Sequence, residues 1–322
     1  MATNYDIRPL QLYLQRNLEE IDRVFRANGL RYFLVSGTML GAVRHNGFIP
    51  WDDDVDIAMP RADYERLLKE WKQLLPEYLE FVSAEQDEQY PLPYGKIQDA
   101  RTTVVEKTYR KYIGGAYLDV FPLDGVPSGA LARWWHFTRY LFWYKMLYYS
   151  WRDPYKHGHG MSSWVPLMVQ KCMKRRFIHR RMRNILMKHD YDQSPFISEH
   201  YNRQRRFFPR EVFGSPTPIE YEGAMLMGVE KPHEYLLEEY GDYMTLPPED
   251  KRHQHMFFYL DLEHPYRDFI PTYEKWLKSE QTFPLTPSAS LQLIVRLDRR
   301  LGQRSQESLE RERAITPSVD GG

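Results

Sequence analysis

Gly47-Phe48-Ile49-Pro50-Trp51-Asp52-Asp53-Asp54-Val55-Asp56-Ile57 sets four carboxylates within five residues and then turns apolar. Read as the start of a β-strand, this run sends Asp54 and Asp56 to one face and Val55 and Ile57 into the protein. Two carboxylates so close repel each other and take up a proton unless a divalent cation lies between them. Oxygen ligands of this kind suit a hard ion such as Mg²⁺ or Mn²⁺. A solvated acidic loop or a calcium loop is the rival reading, the latter because the acids alternate and Asp63 stands twelfth. Against a calcium loop, Ile57 occupies the position where the sharp turn needs glycine.

Upstream, Leu10, Leu14, Leu18, Ile21, Val24 and Phe25 recur at helical spacing, and Asn28-Gly29 supplies a stop. Arg31 to Val35 reads as a strand. Ser36-Gly37-Thr38 reads as a turn opening a helix to about Arg44, and Asn46-Gly47 leads into the acids. Downstream, helix period runs from 61 to 75. Strand candidates follow at Leu79 to Val82, Tyr94 to Ile97, Thr103 to Val105, and Ala116 to Phe121, the last closed by Pro122. Strand, Ser-Gly turn, helix N-terminus and Asp-x-Asp strand suit a nucleoside diphosphate: free N–H groups hold phosphate oxygens and the aspartates hold the bridging metal. Asp119 is the best third carboxylate, being an acid in an otherwise apolar strand, where an unpaired charge is costly.

These residues carry a resemblance. From Ser36 through Asp56 the chain resembles the LicD family, whose founding members are phosphorylcholine transferases and which is similar to the fukutins within the nucleotidyltransferase superfamily. The likeness continues through Tyr94-Gly95-Lys96 and Leu118 to Asp124. It resumes at Phe207-Phe208-Pro209, Tyr221-Glu222-Gly223, and Glu234 through Pro248. The resemblance implies an α+β, nucleotidyltransferase-like mixed sheet flanked by helices. It also implies transfer of a phospho-alcohol from CDP-choline or another CDP-alcohol to a hydroxyl on a glycan or lipid-linked glycan, with CMP leaving. By position, Asp54, Asp56 and Asp119 are metal ligands and the catalytic acids, Ser36, Gly37 and Thr38 cradle phosphate, and Arg44 and Lys96 are phosphate partners. The cysteine-bound zinc of fukutin-like members has no counterpart, because the chain has one cysteine, Cys172. Two rivals stand beside this reading: a nucleotidyltransferase that releases pyrophosphate, and a non-catalytic glycan- or membrane-binding protein.

The 322 residues are 42% hydrophobic, enough for a buried core, and 44 Lys plus Arg balance 44 Asp plus Glu, so nothing global draws the chain to nucleic acid. The lone cysteine fits a reducing, cytoplasmic compartment. Neither a signal peptide nor a spanning helix is expected. The middle differs in character. From Arg133 to Trp151 ten of nineteen residues are Trp, Tyr or Phe, and eight Lys or Arg with no acid lie between Lys171 and Lys188. Such a segment either forms a helical subdomain packed on the sheet or lies peripherally on the inner face of a membrane. The expected organisation is a catalytic core at 1–127, a helical insertion at 128–205, the rest of the LicD-like domain at 206–299, with a hairpin from Tyr221 to Val229 and a helix from His233 to Tyr240, and a disordered tail at 300–322. His253, His255 and His264 lack a telling metal spacing and are expected in core or surface roles; Cys172 is expected to be inert.

Overall fold

The computed structural model describes residues 7–88, 90–106, 112–155, 160–200, 205–252, 257 and 259–278. His253, His255 and the stretch from 300 onward lie outside them. The N-terminal helix α1 (Arg8–Ala27) buries Leu10, Leu14, Leu18, Ile21 and Phe25 as its apolar spacing requires. Strand β1 (Phe33–Leu34) leads into α2 (Ser36–His45), which ends at Asn46 in the left-handed conformation. The acidic run is loop up to Val55. Strand β2 (Asp56–Pro60) starts only at the last acid, and helix α3 (Arg61–Leu74) follows without a break.

Strand β3 (Leu79–Val82) is followed by β4 (Gly95–Val105), a single strand with an irregularity between Asp99 and Val104 where the sequence suggests two. Strand β5 (Gly114–Val126) runs straight through Pro122, correcting the expectation that proline closes it. The Asp119 N–H donates to Val55 O of the β2 side at 2.9 Å, so the alternation of the strand turns the Pro122 nitrogen to the opposite edge. On that edge β4 has ended at Gly95, opposite Val120, and the next partner joins only at Asp124, so the missing N–H breaks no ladder bond.

Helices α4 (Ala130–Trp151), α5 (Met161–Cys172) and α6 (Arg175–Leu186) come next. They have a small core of their own, built from Tyr140, Met146, Leu147, Val169, Ile178, Met182, Ile185 and Leu186. The chain then returns to the sheet as β6 (Phe196–Ser198) and β7 (Phe208–Pro209), passes α7 (Arg210–Phe213), and forms the hairpin β8 (Thr217–Tyr221) and β9 (Ala224–Gly228). Helix α8 (Pro232–Tyr240), stopped by Gly241 at φ +68°, strand β10 (Tyr259–Asp261) and helix α9 (Tyr266–Lys278) complete the described chain.

The architecture is a mixed α+β one. The central sheet runs β1-β2-β5-β4-β10, with β3 also on β4 and with β6 joining β5 to β7. Among the described strands β2 and β5 form the one parallel pair, and their register sets Asp56 beside Asp119. On its other side Asp119 faces Lys96 of β4. Three charged residues therefore lie in one row across the middle of the sheet.

Candidate active site

The acid loop is clamped from three directions. From α1, Gln11 Nε2 donates to Ile49 O at 3.2 Å and to Asp52 O at 2.7 Å. From the tip of the β8–β9 hairpin, Glu222 accepts the Phe48 N–H at 3.0 Å and is held by Arg8. Arg8 keeps that carboxyl below its usual range. A Cβ on Gly47 would lie 2.5 Å from the Glu222 carboxylate, so glycine is what lets the hairpin tip close on the turn. From α2, Thr38 Oγ1 accepts the Asp56 N–H at 2.8 Å, and Gly37 leaves room for the Asp52 carboxylate, which stands 2.6 Å from where a Cβ would be.

Asp54, Asp56 and Asp119 each offer a carboxylate oxygen to one small region, the three atoms lying within 4.8 Å of one another. Val55 and Ile57 are fully buried on the opposite side, as the alternation requires. Burial, reinforced by Asp54, Asp119, Asp52 and Glu199, raises the Asp56 carboxyl well above its usual value. Burial also pushes Asp119 up to about 6, against the lowering effect of Lys96. Among the described residues Asp119 Oδ1 accepts no hydrogen bond; Lys96 Nζ forms an ion pair with it at 3.3 Å. The same ammonium lies 3.4 Å from Glu106 and 3.1 Å from the centroid of the Tyr117 ring. The donor set is all carboxylate oxygen, with one buried oxygen that the protein does not satisfy by a hydrogen bond, and it fits a hard divalent ion held by Asp54, Asp56 and Asp119. A calcium loop closing at Asp63 does not form: that residue is on α3 and accepts from Arg31 Nε at 2.8 Å.

Ser36, Gly37 and Thr38 form the first turn of α2, whose N–H groups have no intrahelical acceptor. The structure assigns them unequal tasks. The Thr38 hydroxyl is engaged with the Asp56 backbone, and Ser36 sits at φ +49°, a conformation that costs a non-glycine residue about 1–2 kcal/mol. Arg44 is not part of the cluster. It lies eight residues along α2, about 12 Å from Ser36 by helix rise, and donates to Tyr243 O at 2.7 Å. The neighbouring Trp51 ring packs against His45 and under Arg252.

Glu199, just past β6, is a residue the sequence reading passes over. It is buried and accepts from Tyr235 O–H at 3.1 Å, while the same hydroxyl accepts the Ser36 N–H at 2.9 Å. Burial, then Glu239, pushes its carboxyl up to about 8. Its signal in the sequence is akin to the one that marks Asp119, an acid in apolar surroundings, here at the end of Phe196-Ile197-Ser198-Glu199. Of the histidines, His264 bonds Asp261 through Nδ1 at 2.9 Å on the surface. Cys172 is an exposed free thiol.

Comparison with known proteins now bears on this geometry. Residues 29–140, which contain the Ser36 turn, all four acids of the run, Lys96 and Asp119, match the family model described as LicD/FKTN/FKRP, nucleotidyltransferase domain. They form a LicD-family domain. Beyond that domain the likeness extends along most of the chain. The lipopolysaccharide cholinephosphotransferase LicD of Haemophilus influenzae is 29% identical over 264 residues, covering 77% of this chain and 95% of that protein. The ribitol 5-phosphate transferase FKRP of Homo sapiens is 53% identical over 40 residues, which is 12% of this chain and 8% of its own length, and the Mus musculus protein matches equally. The LicD resemblance read from the motifs therefore holds, and it reaches past the matched domain into the region of α4–α6 and α8.

Proposed function

We propose that the chain transfers a phospho-alcohol, phosphocholine first, from CDP-choline or another CDP-alcohol to a hydroxyl of a glycan or lipid-linked glycan, releasing CMP. One observation carries this: carboxylate oxygens of Asp54, Asp56 and Asp119 converge within 4.8 Å of one another, and the N-terminal turn of α2 holds the Asp56 backbone through Thr38. The cholinephosphotransferase relative, matched over 95% of its length, supports phosphocholine over ribitol phosphate and a glycan acceptor of the lipopolysaccharide kind. A single cysteine is in keeping with a cytoplasmic setting.

Asp54, Asp56 and Asp119 would hold Mg²⁺ or Mn²⁺, which when bound neutralises diphosphate charge and acts as a Lewis acid on the phosphoryl oxygens. The chain's own groups do the rest. Backbone N–H groups at Gly37 and Thr38 hold phosphate oxygens at the positive end of α2. Lys96, which lies between Asp119 and Glu106, would supply a cation to the donor phosphates. Asp119 takes or guides the acceptor proton. The acceptor oxygen bonds to the phosphorus carrying the alcohol, the P–O bond to CMP breaks, and CMP keeps the electron pair.

Thermal stability with CDP-choline, CDP-ethanolamine, CDP-glycerol and CDP-ribitol, each with Mg²⁺ or chelator, tests this reading. At about a hundredfold over Kd a true donor adds roughly 2.7 kcal/mol, a rise of several degrees in Tm, and only with metal. Equal shifts in chelator would remove the metal. Release of pyrophosphate instead of CMP would establish nucleotidyl transfer in its place.

A further inference from the structure

Helices α4 and α5 leave an apolar surface uncovered. On α4, Leu131 is 81% exposed, Trp134 53%, Trp135 55% and Phe142 53%, and on α5 Trp164 is 70% and Met168 58% exposed, with Val165 and Leu167 beside them. Positions 131, 134, 135, 138 and 142 recur at helical spacing, so the α4 residues form one stripe. Their own three-helix core does not need them. Among the described residues the charges on the stripe are exposed cations, Arg139 and Lys145, and the Arg205 guanidinium lies over the Trp134 ring at 5.4 Å. From Gly125 to His189 thirteen Lys or Arg accompany one acid, Asp153, in a chain whose total charge is zero.

The apolar stripe runs into the basic helix. Phe142 packs on Trp143 with ring centroids 5.2 Å apart, Trp143 on Phe177 at 5.7 Å, and the Arg180 and Arg181 guanidinium groups lie over Phe177 at 5.7 and 5.0 Å. Phe177 lines a groove of about 450 Å³ with Lys174, Arg176, His179, Arg180, Arg183 and one acid, Glu85. Within it Arg176 is paired with Glu88, and Arg183 with Glu65 and Glu85. Lys174 and Arg180 have no acidic partner among the described residues, and the buried Nε2 of His179 makes no hydrogen bond.

We propose that this face of α4, α5 and α6 docks the protein on an anionic lipid bilayer, with the groove at Phe177 receiving a lipid phosphate. Charge decides the occupant. A second copy would set one strongly cationic face against another, whereas an anionic headgroup layer complements it. The aliphatic groups decide against nucleic acid: Leu131, Val165, Leu167 and Met168 give bases nothing to stack on, but they and the tryptophans fit the headgroup boundary. No helix among the described residues is long and apolar enough to cross a membrane, so the contact is peripheral.

The test is co-sedimentation of the full chain with phosphatidylcholine vesicles, with and without phosphatidylglycerol, at low and high salt. Binding is expected only to the anionic vesicles and only at low salt. Lys174→Glu with Arg180→Glu, and separately Trp164→Ser with Met168→Ser, should each weaken it about tenfold or more at unchanged Tm, since all four side chains are exposed. Absence of binding to anionic vesicles at low salt overturns the proposal, as does equal binding to neutral ones. A dimer dissolved by Trp164→Ser with Met168→Ser would assign the face to a second copy, and displacement from vesicles by a single-stranded oligonucleotide would assign it to nucleic acid.

Discussion

Asp56 stands in an electrostatic conflict among carboxylates. Its side chain is half-buried, and Asp54, Asp119, Asp52 and Glu199 all disfavour its charge. Removing that charge relieves the apo protein but takes an oxygen ligand from the ion. Asp56→Asn is therefore expected to keep or raise Tm in chelator while lowering CDP-choline turnover by about 100-fold or more, the scale of a single transition-state stabiliser. Near wild-type turnover at saturating Mg²⁺ would exclude Asp56 as a ligand. Lys96 answers the conflict only on the Asp119 side, by its 3.3 Å contact, which is why Asp119 rises no further than about 6 while burial acts on it fully.

Among the elements, the β8–β9 hairpin acts on the site without contributing a reacting group. Its tip residues Glu222 and Gly223 both have positive φ, which aims Glu222 at the Asn46–Gly47 turn, where its N–H donates to Asn46 O at 2.8 Å and its carboxylate receives Phe48. Glu222→Ala leaves the Phe48 N–H and Arg8 without that acceptor. It should lower stability by about 1–3 kcal/mol and reduce kcat more than donor affinity, because the acid loop loses its clamp while Asp54, Asp56 and Asp119 remain. If circular dichroism, Tm and kcat all stay at wild-type values, the hairpin has no positioning role.

At the scale of the whole molecule, the helical insertion meets the sheet through buried histidines. Burial, with His200 and His189 beside it, holds His136 down at about 3, and burial holds His200 at about 3. Their Nε2 atoms are 3.0 Å apart, so the two rings share one proton on a neutral bond. The unfolded chain takes up these protons near pH 6.5 and the native state does not, so this contribution is complete above about pH 6.5 and is lost progressively as pH falls toward 3. Glu199, Asp56 and Asp119, whose carboxyls are raised, act in the opposite direction, so the wild-type curve is a composite. The decisive measurement is the difference between wild type and His200→Asn, a residue that tolerates the φ of +54° found there. The variant should lose stability at pH 7 and lose less of it on acidification to pH 5. Parallel Tm curves would mean that His200 does not titrate with unfolding.

What the sequence by itself determined is whatever short-range chemistry imposes. The acid run, the Ser36 turn and the apolar spacing of α1 and α3 were legible because neighbours in the chain are neighbours in space, and the LicD likeness lies in that same contiguous stretch. The parallel pairing of Asp56 with Asp119, the passage of β5 through Pro122, and the arrival of Glu199, Tyr235 and Glu222 from far along the chain were decided by the tertiary structure. Each depends on which strand edge is vacant or which buried polar atom still needs a partner, and those are properties of the packed sheet. The same holds for the aromatic segment: its composition marked it as unusual, but only the packing of α4, α5 and α6 around their own small core settled which rings are buried and which face outward.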